Sequence, residues 1–254
     1  MGVLNSMNLT SRMISAVFVF AACSLGVLAQ ENPQKVRFAI VKVKPDMVGE
    51  FRDVLAEVTA AYKKAGVPWR HVWEPAGFGD STKWLTVVPM LKKSDWGLPP
   101  FVSAMGEAGF QQYAAKASKC YTNIEYTVEL SRPEISIQSG TIPPFIQFAT
   151  VTVALGKEGA WESKQKTEAL PALKKAGYKE VWVTRNMYGG ESTSTYSLAT
   201  GISSLGDLEE GSALQRAMGP EAYQRFRESL TGIVTSVKYE TFKYVPELSY
   251  AESK

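Results

Sequence analysis

Apolar positions along the chain switch between two spacings, one close to every second residue and one at steps of three and four. Val36 to Val43 is mostly apolar and β-branched, with Arg37 and Lys42 as its polar interruptions, and predicts a strand. Val48, Phe51, Val54, Leu55, Val58, Tyr62 and Ala65 then form the apolar stripe of a helix, with Asp46 as its expected N-cap and Gly66 placed to close it. Trp69 to Trp73 and Lys83 to Met90 are rich in aromatic and β-branched residues and flank Gly77-Phe78-Gly79-Asp80, which predicts a hairpin. A helical stretch follows from Ser94 or Asp95 to about Lys119, interrupted near Pro99-Pro100 and again near Gly109. Tyr121 to Leu130 is the last strand of the series. The order is β-α-β-β-α-β.

The chain then repeats itself. Lys63-Lys64-Ala65-Gly66 recurs as Lys174-Lys175-Ala176-Gly177 (177 − 66 = 111), and Ala104-Met105-Gly106 recurs as Ala217-Met218-Gly219 (219 − 106 = 113). At the offset of 113, Phe110 aligns with Tyr223, Tyr113 with Phe226, Ile124-Glu125-Tyr126 with Val237-Lys238-Tyr239, and Pro133-Glu134 with Pro246-Glu247. The second copy repeats the element order through Ile146 to Leu155, Trp161 to Ala176, Glu180 to Met187, Thr195 to Gly201, Asp207 to Thr231 and Ile233 to Tyr244. The expected organisation is a repeat over residues 34–136, a linker over 137–145 and a second repeat over 146–249.

That element order is the split βαβ, or ferredoxin-like, unit, a four-stranded antiparallel sheet with two helices on one face. Its other sheet face is apolar and uncovered. A second copy on the same chain covers it, so the expected fold class is α+β, with two tandem ferredoxin-like repeats packed sheet to sheet and helices outside. The pattern resembles the dimeric α+β barrel superfamily, which includes antibiotic-biosynthesis monooxygenase-like and NIPSNAP-like domains, with the usual homodimer fused into one chain. The resemblance covers roughly residues 34 to 249 and rests on element order and duplication. It implies a space between sheet and helices for a small apolar or aromatic molecule, or for haem, and activities that include cofactor-free oxygenation and isomerisation.

Residues 1 to 29 carry one charge, Arg12, then the apolar run Met13 to Ala22 and the small-residue exit Val27-Leu28-Ala29. This reads as a secretory signal peptide cut before Gln30, so the mature protein is expected to be exported, periplasmic or secreted, with no membrane attachment after cleavage. The rival reading is a retained anchor, since Met13 to Ala29 is nearly long enough to span a bilayer. Removing the leader lowers the formal charge from +3 to +2, and so balanced a surface gives no electrostatic case for nucleic acid. The mature chain keeps one cysteine, Cys120, which leaves no internal disulfide, and its stability then rests on core packing.

Chemistry-bearing residues are few. The sole histidine, His71, alternates with Trp69 and Trp73 along one strand, so the three side chains share a face, and Trp84 on the hairpin partner is expected nearby. One reading makes this face a ligand pocket in which His71 is a general base or orienting group; the other makes the tryptophans core and gives His71 one structural hydrogen bond. Arg70, Glu74 and Arg185 are charged residues within strand patterns, to be explained as pocket groups, as solvated strand ends or as paired charges. Trp182 stands opposite His71 at the offset of 111, so a second equivalent centre is absent. A haem-binding relative is expected to draw a histidine from the C-terminal half, and that half has none.

One His and one mature Cys do not make a zinc site, no Gly-x-Ser-x-Gly occurs, and the glycines near Phe78 precede no helix as a phosphate cradle would require. No cofactor or metal is therefore expected. The leading functional expectation is an exported barrel, monomeric because its halves are fused, that binds a small apolar or aromatic molecule. The alternatives are a cofactor-free monooxygenase or isomerase using His71, and a structural or partner-binding module.

Overall fold

The computed structural model describes residues 32–190 and 192–251, so the expected leader and its cut before Gln30 lie outside the described residues. The first half contains β1 (Lys35–Val43), α1 (Val48–Lys64), β2 (Trp69–Pro75), β3 (Lys83–Pro89), α2 (Pro100–Cys120) and β4 (Tyr121–Ser131). The second contains β5 (Phe145–Val153), α3 (Glu158–Lys164), a π-turn (Gln165–Ala169), α4 (Leu170–Lys175), β6 (Val181–Tyr188), β7 (Thr195–Ile202), α5 (Ala213–Met218), α6 (Pro220–Ser229) and β8 (Val234–Tyr244), before the short β9 (Tyr250–Ala251). Among the described residues no helix is long and apolar enough to cross a membrane.

The strands form one antiparallel ring in the order β3-β1-β4-β6-β7-β5-β8-β2, and pairing of β2 with β3 closes it. Two seams join the halves. One runs from Val128↔Tyr188 to Ser131↔Thr184 between β4 and β6. The other sets Trp73↔Tyr244, Glu74↔Lys243 and Pro75↔Phe242 between β2 and β8. Each half therefore supplies the hydrogen-bonding partners of the other's outer strands, and closure removes most of the sheet edge. After each last strand the chain turns through Pro133–Ile135 or Pro246–Leu248 and lies against the partner half, as the bridge Ile137↔Val181 and the pairing of β9 with Trp69 and Arg70 show.

Strand alternation divides the apolar residues into three cores. Val36, Phe38, Trp73, Ile146, Phe148 and Phe242 fill the barrel interior. Two further clusters lie outside the ring, one under α1 and α2 and the other under the helices of the second half.

The hairpin glycines serve close approach. Gly189, at φ 79°, sits where a Cβ would stand 2.3 Å from the Tyr126 carbonyl oxygen, so the β6–β7 tip lies directly on β4. Gly79, at φ 109°, approaches Glu240 on β8 closely, where a Cβ would stand 3.0 Å from its Cγ. The helix starts differ from expectation. Asp46 belongs to a 3₁₀ turn over Pro45–Met47, and α1 begins without a side-chain cap. The break in α2 falls at Gly106, whose φ of 73° no helix accommodates, while Gly109 continues the helix; Gly219 divides α5 from α6 in the same way.

The π-turn marks a local difference between the halves. Phe51 packs edge-on against Trp84 with centroids 5.4 Å apart, and Trp161 packs against Tyr196 at 4.1 Å in the corresponding place. The offset there is 110 (161 − 51), whereas it is 111 at the helix end (177 − 66). One extra residue thus lies between Trp161 and Gly177, and the i→i+5 bond from Leu170 N–H to the Gln165 carbonyl absorbs it. Pro171, which lacks an N–H and crowds the preceding turn, follows immediately.

Candidate functional site

An opening of about 580 Å³ lies in the second half, between the outer face of the sheet and helices α3 to α6. That is within the range of small-molecule sites. Its sheet wall presents Ala149, Val151, Val181, Val183 and Leu198, and its helical wall presents Trp161, Leu170, Leu173, Leu214, Phe226 and Leu230. Trp161 is held on both sides. Its ring stacks on Tyr196, whose hydroxyl donates to Glu162 at 2.6 Å, and Glu162 is gripped in turn by both terminal nitrogens of Arg132. Burial, with the Glu162 carboxylate beside it, keeps the Tyr196 phenol protonated far above the ordinary tyrosine range.

The space exists because side chains are smaller here than in the first half. There, Phe101 packs against Tyr62, Phe110 and Tyr113, with centroids 5.1, 6.1 and 5.5 Å away. The corresponding residues in the second half are Leu214 for Phe101 (214 − 101 = 113) and Leu173 for Tyr62 (173 − 62 = 111). Two aromatic rings in the first half are thus matched by two leucines.

Polar groups enter the cavity at two levels. Gln147, Gln165 and Thr200 interrupt the apolar walls, and the last two are 8% and 9% exposed. Ser212, Tyr223, Tyr239 and the solvent-exposed Arg227 form a second group, with the Arg227 guanidinium 6.0 Å from the centre of the Tyr223 ring. Burial, reinforced by the neighbouring Tyr223 phenol, raises Tyr239 well above the usual tyrosine range. The lining contains no His, Cys, Met, Asp, Glu or Lys.

The residues singled out by sequence are placed elsewhere. Trp69, His71 and Trp73 do share a face, and it is the barrel interior, across the sheet from this cavity. His71 stacks on Trp69 at 5.0 Å, and its Nδ1 lies 3.4 Å from the Tyr244 hydroxyl. Burial pushes its pKa down to about 4, so the ring is neutral at ordinary pH. Trp84 departs from expectation: it points to the opposite face, under α1 and against Phe51, because its register with Val41 places it on the helix side. Arg70 also lies on that side and is 2% exposed, donating to Thr59 Oγ1 at 2.7 Å and to the Leu248 carbonyl at 3.3 Å, with Nε unpartnered. Arg185 stands near the start of α3, 3.6 Å from Glu158, and Glu74 pairs with Arg52 at 2.7 Å. None of these residues lines the cavity.

Sequence reasoning missed the cavity-lining set. Its available signals were Leu173 and Leu214 opposite Tyr62 and Phe101, and Gln165 within an otherwise apolar helical stripe.

No protein-family model matches the chain, and no curated protein matches it. Its fold does match solved structures. A candidate monooxygenase from Lactobacillus acidophilus superposes with a TM-score of 0.58 at 10% identity, covering 87% of this chain and 97% of that one. An anthrone oxidase-like protein gives 0.57 at 16% identity, covering 85% and 93%. A candidate chlorite dismutase gives 0.50 at 7% identity, covering 84% and 96%. The chain has the dimeric α+β barrel fold, built from two tandem ferredoxin-like halves.

Haem does not fit the residues present. The cavity offers no His, Cys or Met as an axial ligand, and His71 lies across the sheet from it, stacked on Trp69 on the barrel-interior face. Nor do the described residues include a group of three or more His, Cys, Asp or Glu able to hold a metal ion.

Proposed function

We propose that the protein binds one small, largely apolar molecule in the helix–sheet cavity of its second half. The observation that carries this reading is the contrast between the halves: Phe101 and Tyr62 pack the first, whereas Leu214 and Leu173 border about 580 Å³ of space in the second. Apolar walls supply the driving force, at about 25 cal/mol per Å² of ligand and wall removed from water. Trp161, clamped through Tyr196, Glu162 and Arg132 and almost fully buried, braces the wall of the cavity. Tyr223, Tyr239 and Arg227 provide polar contacts for the ligand's solvent-facing end.

A second reading is chemical transformation of the ligand. It is favoured by the names of two structural neighbours, a candidate monooxygenase and an anthrone oxidase-like protein. A cofactor-free oxygenation that begins with proton removal needs a base, and the cavity lining contains no carboxylate and no histidine. Only the Tyr223 and Tyr239 phenols are available, and Tyr239 is held protonated, so turnover by this route would climb with pH into the alkaline range. Binding without turnover is the reading that the residues support.

Native mass spectrometry of the gently purified full chain tests the binding proposal. A discrete mass excess that disappears in Leu214→Phe supports it. A bare polypeptide mass, together with no uptake of added 9-fluorenone, overturns it.

A further inference from the structure

Three polar groups in the cavity have hydrogen-bonding capacity that the protein leaves unused. Gln147 and Thr200 are directly opposed across β5 and β7, so both side chains stand on the cavity face of the sheet. The Gln147 Oε1 accepts from the Ala213 N–H at 3.0 Å, which fixes the amide's orientation and leaves Nε2 as a donor. Gln165 reaches the same cavity from the helical side, carried on the π-turn. Its carboxamide and the Thr200 hydroxyl make no hydrogen bond with any described residue, although both residues are at least nine-tenths buried. Their polar atoms are open to the cavity space rather than sealed in the packed core, so a ligand that displaces water from them must supply hydrogen bonds in return.

At the offset of 110 that holds at Trp161, Gln165 takes the place of Leu55 on the apolar stripe of α1 (165 − 55 = 110), so an amide stands on the cavity side where the first half has a buried leucine. From these placements we infer that Gln147, Gln165 and Thr200 form a specificity set reading an oxygen atom on the inner part of the ligand, and that the ligand class is a largely apolar molecule bearing a carbonyl or hydroxyl oxygen there. This rests on the binding proposal above. The Gln147 Nε2 donates to the ligand oxygen, while Gln165 and Thr200 can each donate or accept, so a carbonyl or an enol suits the set. An unsubstituted hydrocarbon would bury all three groups unpaired.

Calorimetric titration of the full chain with a shape-matched pair, 9-fluorenone and fluorene, tests this. Wild type is expected to bind fluorenone about tenfold more tightly than fluorene. Gln165→Leu and Thr200→Val should each shrink that ratio severalfold by weakening fluorenone while fluorene affinity is kept, and retained fluorene binding certifies an intact cavity. Equal affinity for the two probes in wild type, or a ratio unchanged in both variants, overturns the specificity set and leaves the cavity as a binding site. Failure of both probes to bind wild type, together with a bare polypeptide mass, overturns the binding proposal and the specificity set with it.

Discussion

The ring of Phe101 lies 5.1 Å from that of Tyr62, and the two residues that hold their places in the other half are Leu214 and Leu173. Leu214→Phe should therefore partly convert the second half into a copy of the first. Ligand affinity is expected to fall at least tenfold, while the thermal midpoint stays level or rises, because the added ring fills existing space. Calorimetry paired with thermal unfolding checks this. Undiminished binding in a stably folded variant would place the ligand elsewhere.

His71 is the only histidine in the chain and gives a single imidazole resonance, so its environment is directly readable. Burial lowers its pKa to about 4. The folded protein takes up that proton less readily than the unfolded chain, whose histidine titrates near 6.5. The resulting stability is whole above the ordinary histidine range and is lost as pH falls toward 4, with a size on the order of 2–3 kcal/mol. An NMR titration should show a neutral ring down to about pH 5. An inflection near 6.5 would mean that the ring is solvated.

Glu129 works in the opposite direction. It is buried inside the barrel, where Thr127, Thr184 and Ser197 place hydroxyls on its carboxylate, and burial outweighs those hydrogen bonds to raise its pKa. The folded state holds the proton more firmly than the unfolded state. Stability from this group is therefore complete below the ordinary glutamate range and declines as pH rises through the raised value. Denaturant unfolding from pH 4 to 8 should show wild type losing stability relative to Glu129→Gln as pH rises. Parallel profiles would show that the carboxyl is solvated or paired.

Gly189→Ala should cost about 2 kcal/mol or more, because the new methyl would meet the Tyr126 carbonyl oxygen at 2.3 Å in a backbone region that alanine avoids. The damage should concentrate at the β4–β6 seam, where hydrogen exchange of Val128 to Ser131 would accelerate. Unchanged stability would mean that the hairpin tip is not packed on β4.

The sequence disclosed the fold through repetition. Lys-Lys-Ala-Gly and Ala-Met-Gly recur at element ends, where helix termination and kinking restrict residue choice, and the alternation around Trp69, His71 and Trp73 correctly assigned them to one face. It did not say which side of the sheet that face lines, because period two separates faces without labelling them. Trp84 illustrates the cost: one hairpin holds it and Trp73 on opposite sides. The cavity was less legible still, since it depends on volume missing at Leu173 and Leu214, and leucine carries no signal of absence. Gln165 keeps the regular helical spacing from Trp161, and a lone glutamine in an apolar stripe does not disclose that open space lies in front of it.

In a homodimer every substitution is made twice, so a change that opens a site in one subunit opens it in both, and a ring added to brace one subunit closes both sites. The covalent joining of these halves lifts that restriction. Leucines can border a cavity at positions 173 and 214 while aromatic rings at 62 and 101 consolidate the opposite lobe, and the two seams let the solid lobe support the hollow one. Duplication thus allows tight packing and open space to be allotted to different lobes of one chain.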